Sequence, residues 1–251
     1  MLSGCQVVNV KRQALNVTIS NERDSILTRD KLSEASLNVL SMTGREAKSC
    51  VESPTVCLKN MQQIPQEQLF STASELYLAK AKLLENSSAC KKRPKSKQHL
   101  SERYEQQEQL FSSCITEEGE MLDKSIRYSY AYLFRSTREP SQRIFDNRQV
   151  QVRDFYNQAI AKLASAYPAQ SIEQQTTNQP ASIKIGNSTY QIDFSDYPDL
   201  AHQPIESYLS SYNMNFSGLR SINRRDGFGS EFVVVLPKKQ RHEENQYILD
   251  P

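Results

Sequence analysis

Apolar residues recur at helical spacing through the first two thirds of the chain and alternate only near its end. Leu32, Ala35, Val39 and Met42 share one helical face, with Thr28 as N-cap, Asp30 in the first turn and Gly44 at the C-terminal cap. Pro65 opens a second helix, whose stripe is Leu69, Phe70, Ala73, Leu76, Tyr77, Ala81 and Leu84. Leu100, Tyr104, Phe111, Cys114 and Ile115 form a third stretch. Leu122, Ile126, Ser129, Tyr130 and Leu133 continue it past Gly119, where a bend or break is expected. Tyr128, Tyr130, Tyr132 and Phe134 alternate as a strand would, but strong helix formers flank them and no turn signal intervenes, so the reading is helix. The last helical pattern covers 143–166, with Phe145, Val152, Phe155, Ala159 and Leu163 on one face. Arg148 shares that face. A buried arginine requires an acidic partner, for which Glu75 and Asp123 are the candidates. The alternative is a rim position with the guanidinium in water.

Residues 167–181 contain two prolines among Gln and Thr and read as a linker. Beyond them the period falls to two. Ile183 and Ile185, then Gly186-Asn187, then Tyr190, Ile192 and Phe194 predict a tight hairpin. Phe232–Leu236 is a continuous apolar run, the pattern of a strand buried on both faces and expected here to lack partners in its own chain. The patterns divide the chain into a tether at 1–27, a helical domain at 28–166, a linker at 167–181 and a β-rich segment at 182–251. The fold class is mainly α: a bundle-like N-terminal domain followed by a small β-rich segment, read as the incomplete start of a larger sheet.

Composition narrows the chemistry. The 251 residues hold seven glycines, and only Gly44, Gly119 and Gly186 fall between Gly4 and Gly218. Doubly wound nucleotide-binding folds need glycine at turns and phosphate loops, so this scarcity disfavours them. The 31 basic and 29 acidic side chains nearly cancel, which gives no bulk attraction to nucleic acid. The run KKRPKSK at 91–97 reads as a solvated loop between helices. No GxSxG, HExxH or phosphate-loop motif occurs, and His99, His202 and His242 have no nucleophile or orienting acid at a recognisable spacing. No catalytic residue, metal ligand or cofactor site is expected.

The cysteines and the N-terminus indicate an address. Leu2-Ser3-Gly4-Cys5 matches the lipobox that precedes the acylated cysteine of bacterial lipoproteins. The basic and apolar regions of a signal peptide do not precede it, so this reading has either the start codon placed late or only the end of the signal kept. Cys5 is then the lipid anchor, the membrane is the partner, and the protein belongs to the bacterial envelope facing the periplasm; if the signal peptide is truly absent, the expected location is the cytoplasm. Four cysteines remain and allow three pairings. Chain proximity favours Cys50–Cys57 with Cys90–Cys114, bridges that persist in an oxidising compartment.

Five strings carry a resemblance: LTRDKLSEASLNVLSMTG (27–44), ELYLAKA (75–81), RYSYAYLF (127–134), FDNRQVQVRDFYN (145–157) and GLRSINRRDGFGSEFVVVLP (218–237). They resemble the N-terminal region of larger proteobacterial lipoproteins of the α/β-hydrolase family. The resemblance implies a helical front portion leading into an esterase or lipase domain whose nucleophile elbow, acid and histidine follow in chain order. None of those residues lies in this chain, so no catalytic role transfers, and residues 218–237 are expected to be an early strand of that sheet. The expectation is a non-catalytic, membrane-anchored front portion of such a protein. The alternative is a free-standing envelope lipoprotein acting as a helical interaction module.

Overall fold

The structure, a computed structural model, describes residues 9–12, 32–59, 61, 63–91, 102–135, 146–174, 182–185, 188–191, 195–196, 207–210, 214–217, 227–229 and 231–236. Seven helices and six short strands lie among them: β1 (Asn9–Arg12), α1 (Glu34–Met42), α2 (Ala47–Glu52), α3 (Pro54–Lys59), α4 (Gln66–Glu85), α5 (Ser88–Lys91), α6 (Glu102–Phe134), α7 (Asn147–Gln174), β2 (Ser182–Ile185), β3 (Ser188–Gln191), β4 (Ser207–Ser210), β5 (Met214–Ser217) and β6 (Phe232–Val235). The protein is mainly α, with a bundle built on α4, α6 and α7.

The central helix is α4. Residues 71–78 are buried without interruption, so this stretch of the helix is enclosed on every side. Its buried set includes Ser71, Thr72, Ser74 and Glu75 beside Leu76, Tyr77 and Leu78. Small residues let α6 approach closely: Ser125 Oγ donates to the Ser74 carbonyl at 2.9 Å. From α7, Val152, Phe155, Ala159 and Leu163 enter the same core, as the pattern predicts; Phe145 lies outside the described residues.

Several boundaries differ from expectation for physical reasons. Helix α1 starts at Glu34 with Ser33 as its N-cap, and Thr28 lies outside the described residues. Leu32, Ser36, Val39 and Leu40 are buried, while Ala35 and Met42 face outward. Polar contacts of Ser33 and Ser36 turn that face toward α4, so hydrophobicity alone misassigned it. Gly44 holds φ +65 after the helix, and the Arg45 N–H donates to the Leu40 carbonyl at 2.8 Å. Helix α6 runs unbroken through Gly119, which serves a close approach instead of a bend. Helix α7 continues through Pro168 to Gln174 and so takes up the first part of the expected linker; residues 175–181 lie outside the described residues.

The strands form three two-stranded antiparallel ladders. Strands β2 and β3 make the predicted hairpin, with Ile183 opposite Tyr190 and Ile185 opposite Ser188; Ile192 and Phe194 lie outside the described residues. The apolar run of β6 has a partner after all. It pairs with β4, Phe232 opposite Ser210 and Val235 opposite Ser207. Phe232 and Val234 are half-buried, not enclosed on both faces. Its period-free pattern therefore reflects β-branched content in a short ladder, not a central parallel strand. β1 pairs with β5, so part of the expected tether is ordered against the C-terminal segment.

Candidate functional site

The densest polar cluster joins α1, α4 and α7. The Glu75 carboxylate, with no exposed surface, accepts from the Ser33 N–H at 2.5 Å, from Ser33 Oγ and Ser36 Oγ at 2.6 Å each, and from Arg148 Nη1 at 3.0 Å. Arg148 Nη1 also donates to Ser33 Oγ at 2.7 Å and to Gln151 Oε1 at 3.0 Å, and Nη2 donates to Ser36 Oγ at 2.8 Å. The guanidinium carbon sits 5.6 Å from the Phe155 ring centre. Of the two acidic candidates for Arg148, Glu75 is the partner, and the rim alternative does not hold.

The chemistry of this cluster is closed. Each serine hydroxyl gives its proton to Glu75 and accepts from Arg148, so neither is left to act as a nucleophile. The carboxylate is out of reach of solvent, and four donors occupy it. The arrangement satisfies the demand that a buried charge be paired and hydrogen-bonded. It is a latch that fixes α1 and α7 on α4.

A second cluster docks the hairpin on α6. Asp123 accepts from Arg127 Nε at 2.9 Å and from the Tyr190 hydroxyl. Ser188 Oγ accepts from Arg127 Nη2 at 3.0 Å and donates to Asp123 at 3.4 Å. Burial, then the bond to Asp123, pushes the Tyr190 phenol up, so it stays a neutral donor. Beside it, a Cβ at Gly119 would lie 2.9 Å from Ile185 Cγ2.

A third set gathers charges from α4, α6 and α7. Lys162 Nζ lies 2.5 Å from Glu85 Oε2. Glu118 senses both. Burial first, then Glu85, push its carboxyl from 4.5 up to about 7, against the pull of Lys162. One ammonium among two carboxylates leaves Glu118 ready to hold a proton near neutrality.

Finally, the buried Asn157 pins a turn. Its Nδ2 donates to the Gly227 carbonyl at 3.0 Å, and the Gly229 N–H donates to its Oδ1 at 2.7 Å. Gly229 has φ +97, open to glycine at little cost. The turn holds Phe228 4.9 Å from Phe134. Gly227-Phe228-Gly229 is thus a turn.

Among the candidates from sequence, Cys50 and Cys57 are bridged, Cα atoms 5.1 Å apart, and Cys90 and Cys114 are bridged at 5.5 Å. That is the local pairing. Cys5, His99, His202 and His242 lie outside the described residues. Among the described residues no group of three His, Cys, Asp or Glu is placed to hold a metal ion, and no helix is long and apolar enough to cross a membrane. Sequence reasoning missed Ser33, Ser36 and Asn157. The first two sit in an N-capping position and one turn on, a signal read at Thr28 instead. The strings at 27–44, 75–81 and 145–157 meet in space at the Glu75 latch. Comparison with protein-family models, curated proteins and solved structures returns no match.

Proposed function

We propose that this chain is a lipid-anchored, non-catalytic helical module of the bacterial envelope, facing the periplasm. The observation that carries the reading is the pair of bridges within one helical bundle. Disulfides of this kind persist outside the reducing cytosol. The Leu2-Ser3-Gly4-Cys5 string supplies the matching means of attachment: diacylglycerol on the Cys5 thiol and a third acyl chain on its amine. The best-organised polar cluster is saturated and inward-facing, which suits a scaffold better than a reaction centre. The string resemblance extends the reading: the module is the front portion of an esterase- or lipase-type lipoprotein, and the reactive residues belong to the rest of it.

The test is fractionation of a version carrying a secretory signal peptide ahead of Leu2. Cys5→Ala is expected to move the protein from the membrane fraction to the soluble periplasm. Retention of the variant in membranes overturns the anchor.

A further inference from the structure

The N-terminal strand shortens the leash between the anchor and the folded protein. Were residues 6–31 a free tether, the span from Cys5 to Leu32 would reach about 90 Å at full extension. β1 instead begins at Asn9 and pairs in register with β5: Asn9 opposite Ser217, Val10 opposite Phe216, Lys11 opposite Asn215 and Arg12 opposite Met214. Four peptide steps separate Cys5 from Asn9, which bounds their distance at about 14 Å. The end of the ladder nearest the anchor is the Asn9–Ser217 rung.

We infer that the β1–β5 ladder, and not the helical bundle, is the part of the anchored protein held against the bilayer surface. The inference rests on the proposed acylation of Cys5. Charge agrees with it. Residues 6–12 and 207–217 contain no Asp or Glu, and β1 carries Lys11 and Arg12. Anionic headgroups attract such basic residues and meet no carboxylate in either strand. The anchor therefore draws the C-terminal β segment to the membrane together with the N-terminus.

The experiment uses the acylated full chain in phosphatidylethanolamine–phosphatidylglycerol vesicles bearing a headgroup nitroxide. With the four bundle cysteines bridged and Cys5 blocked, an introduced thiol is the free one to label. A fluorophore on Ser217→Cys is compared with one on Ser112→Cys, an exposed position of α6. Quenching at 217 is expected to exceed that at 112 several-fold. A further variant, Val10→Pro with Lys11→Pro, removes two backbone donors from β1 and is expected to abolish the excess while the protein stays on the vesicles. Equal quenching at the two positions, or an excess that survives the prolines, overturns this inference alone. Absence of the unmutated chain from the vesicles overturns the anchor and this inference with it.

Discussion

Glu75 and Glu85 lie ten residues apart on α4, about 15 Å along the helix, and head two polar clusters of opposite character. At the Glu75 level a fully buried carboxylate meets two serines, a backbone N–H and an arginine. At the Glu85 level two carboxylates contend for one lysine, and Glu118 is left with its proton affinity raised. The first level is held by hydrogen bonds. The second has a covalent staple nearby: Cys114, one turn before Glu118 on α6, is bridged to Cys90 of α5. Burial raises the cost of a charge at both levels, and the donors that reach Glu75 are what offset it there.

The sharpest way to break this comparison is at the saturated level. Arg148→Met keeps much of the side chain's bulk and strips Glu75 of its cation. Removing one partner of a buried pair costs about 3–5 kcal/mol. Urea unfolding should show a midpoint lowered accordingly, and adding Glu75→Gln to the variant should recover part of the loss. A midpoint unchanged by Arg148→Met would mean the network contributes nothing.

Next in size is the staple. The Cys90–Cys114 bridge closes a loop with a sequence separation of 24. Constraining the unfolded chain over such a loop stabilises by about 3 kcal/mol. Cys90→Ala with Cys114→Ala is expected to lower the unfolding free energy by that order. Cys50–Cys57 closes a separation of only 7, so the same treatment there should cost less. Equal losses at the two bridges would refute the loop-length account.

These clusters also mark the limit of sequence reading. Helices α1, α4, α6 and α7, the β2–β3 pairing and the local cysteine pairing follow from periodicity and proximity, all short-range signals, whereas the short helices α2, α3 and α5 carried no such signal. Arg148 stood out because a cation on an apolar face is costly, but that cost left Glu75, Asp123 and a rim position open, and the structure selects Glu75. The serines of the latch were not legible, since a serine in an amphipathic pattern counts as merely polar. Nor was the partner of β6, because Phe232–Val235 states its need for a neighbour without saying that Ser207–Ser210 supplies it. Long-range pairing is decided by the whole chain.

The crowded level yields a smaller, pH-dependent effect. Glu118 holds its proton up to about 7 in the folded protein, against 4.5 for an ordinary carboxyl. Below 4.5 both states are protonated and the group costs nothing. As pH rises toward 7 the unfolded chain ionises first, so stability falls. Above 7 the full penalty stands, about 1–2 kcal/mol once partial solvent screening is allowed for. Glu118→Gln should therefore raise the melting temperature at pH 8, leave it nearly unchanged at pH 4 and flatten the slope between. A variant no more stable than the parent at pH 8 would show that Glu118 is not strained.

The smallest effect lies one residue further along α6. Gly119→Ala would normally gain up to about 1 kcal/mol in a helix interior by propensity alone. Here the new methyl would stand 2.9 Å from Ile185 Cγ2, a β-branched carbon with no flexible end to swing aside. Overpacking of this kind costs about 1–3 kcal/mol, so the sign should reverse and the net loss should be about 1 kcal/mol. Ile185→Ala removes the obstructing methyl, and in that background Gly119→Ala should turn stabilising. The sign change across the double-mutant cycle separates hairpin docking from helix propensity. If Gly119→Ala stabilises both backgrounds alike, the hairpin does not rest on α6 at Gly119. The glycine would then need another explanation than the close approach of β2.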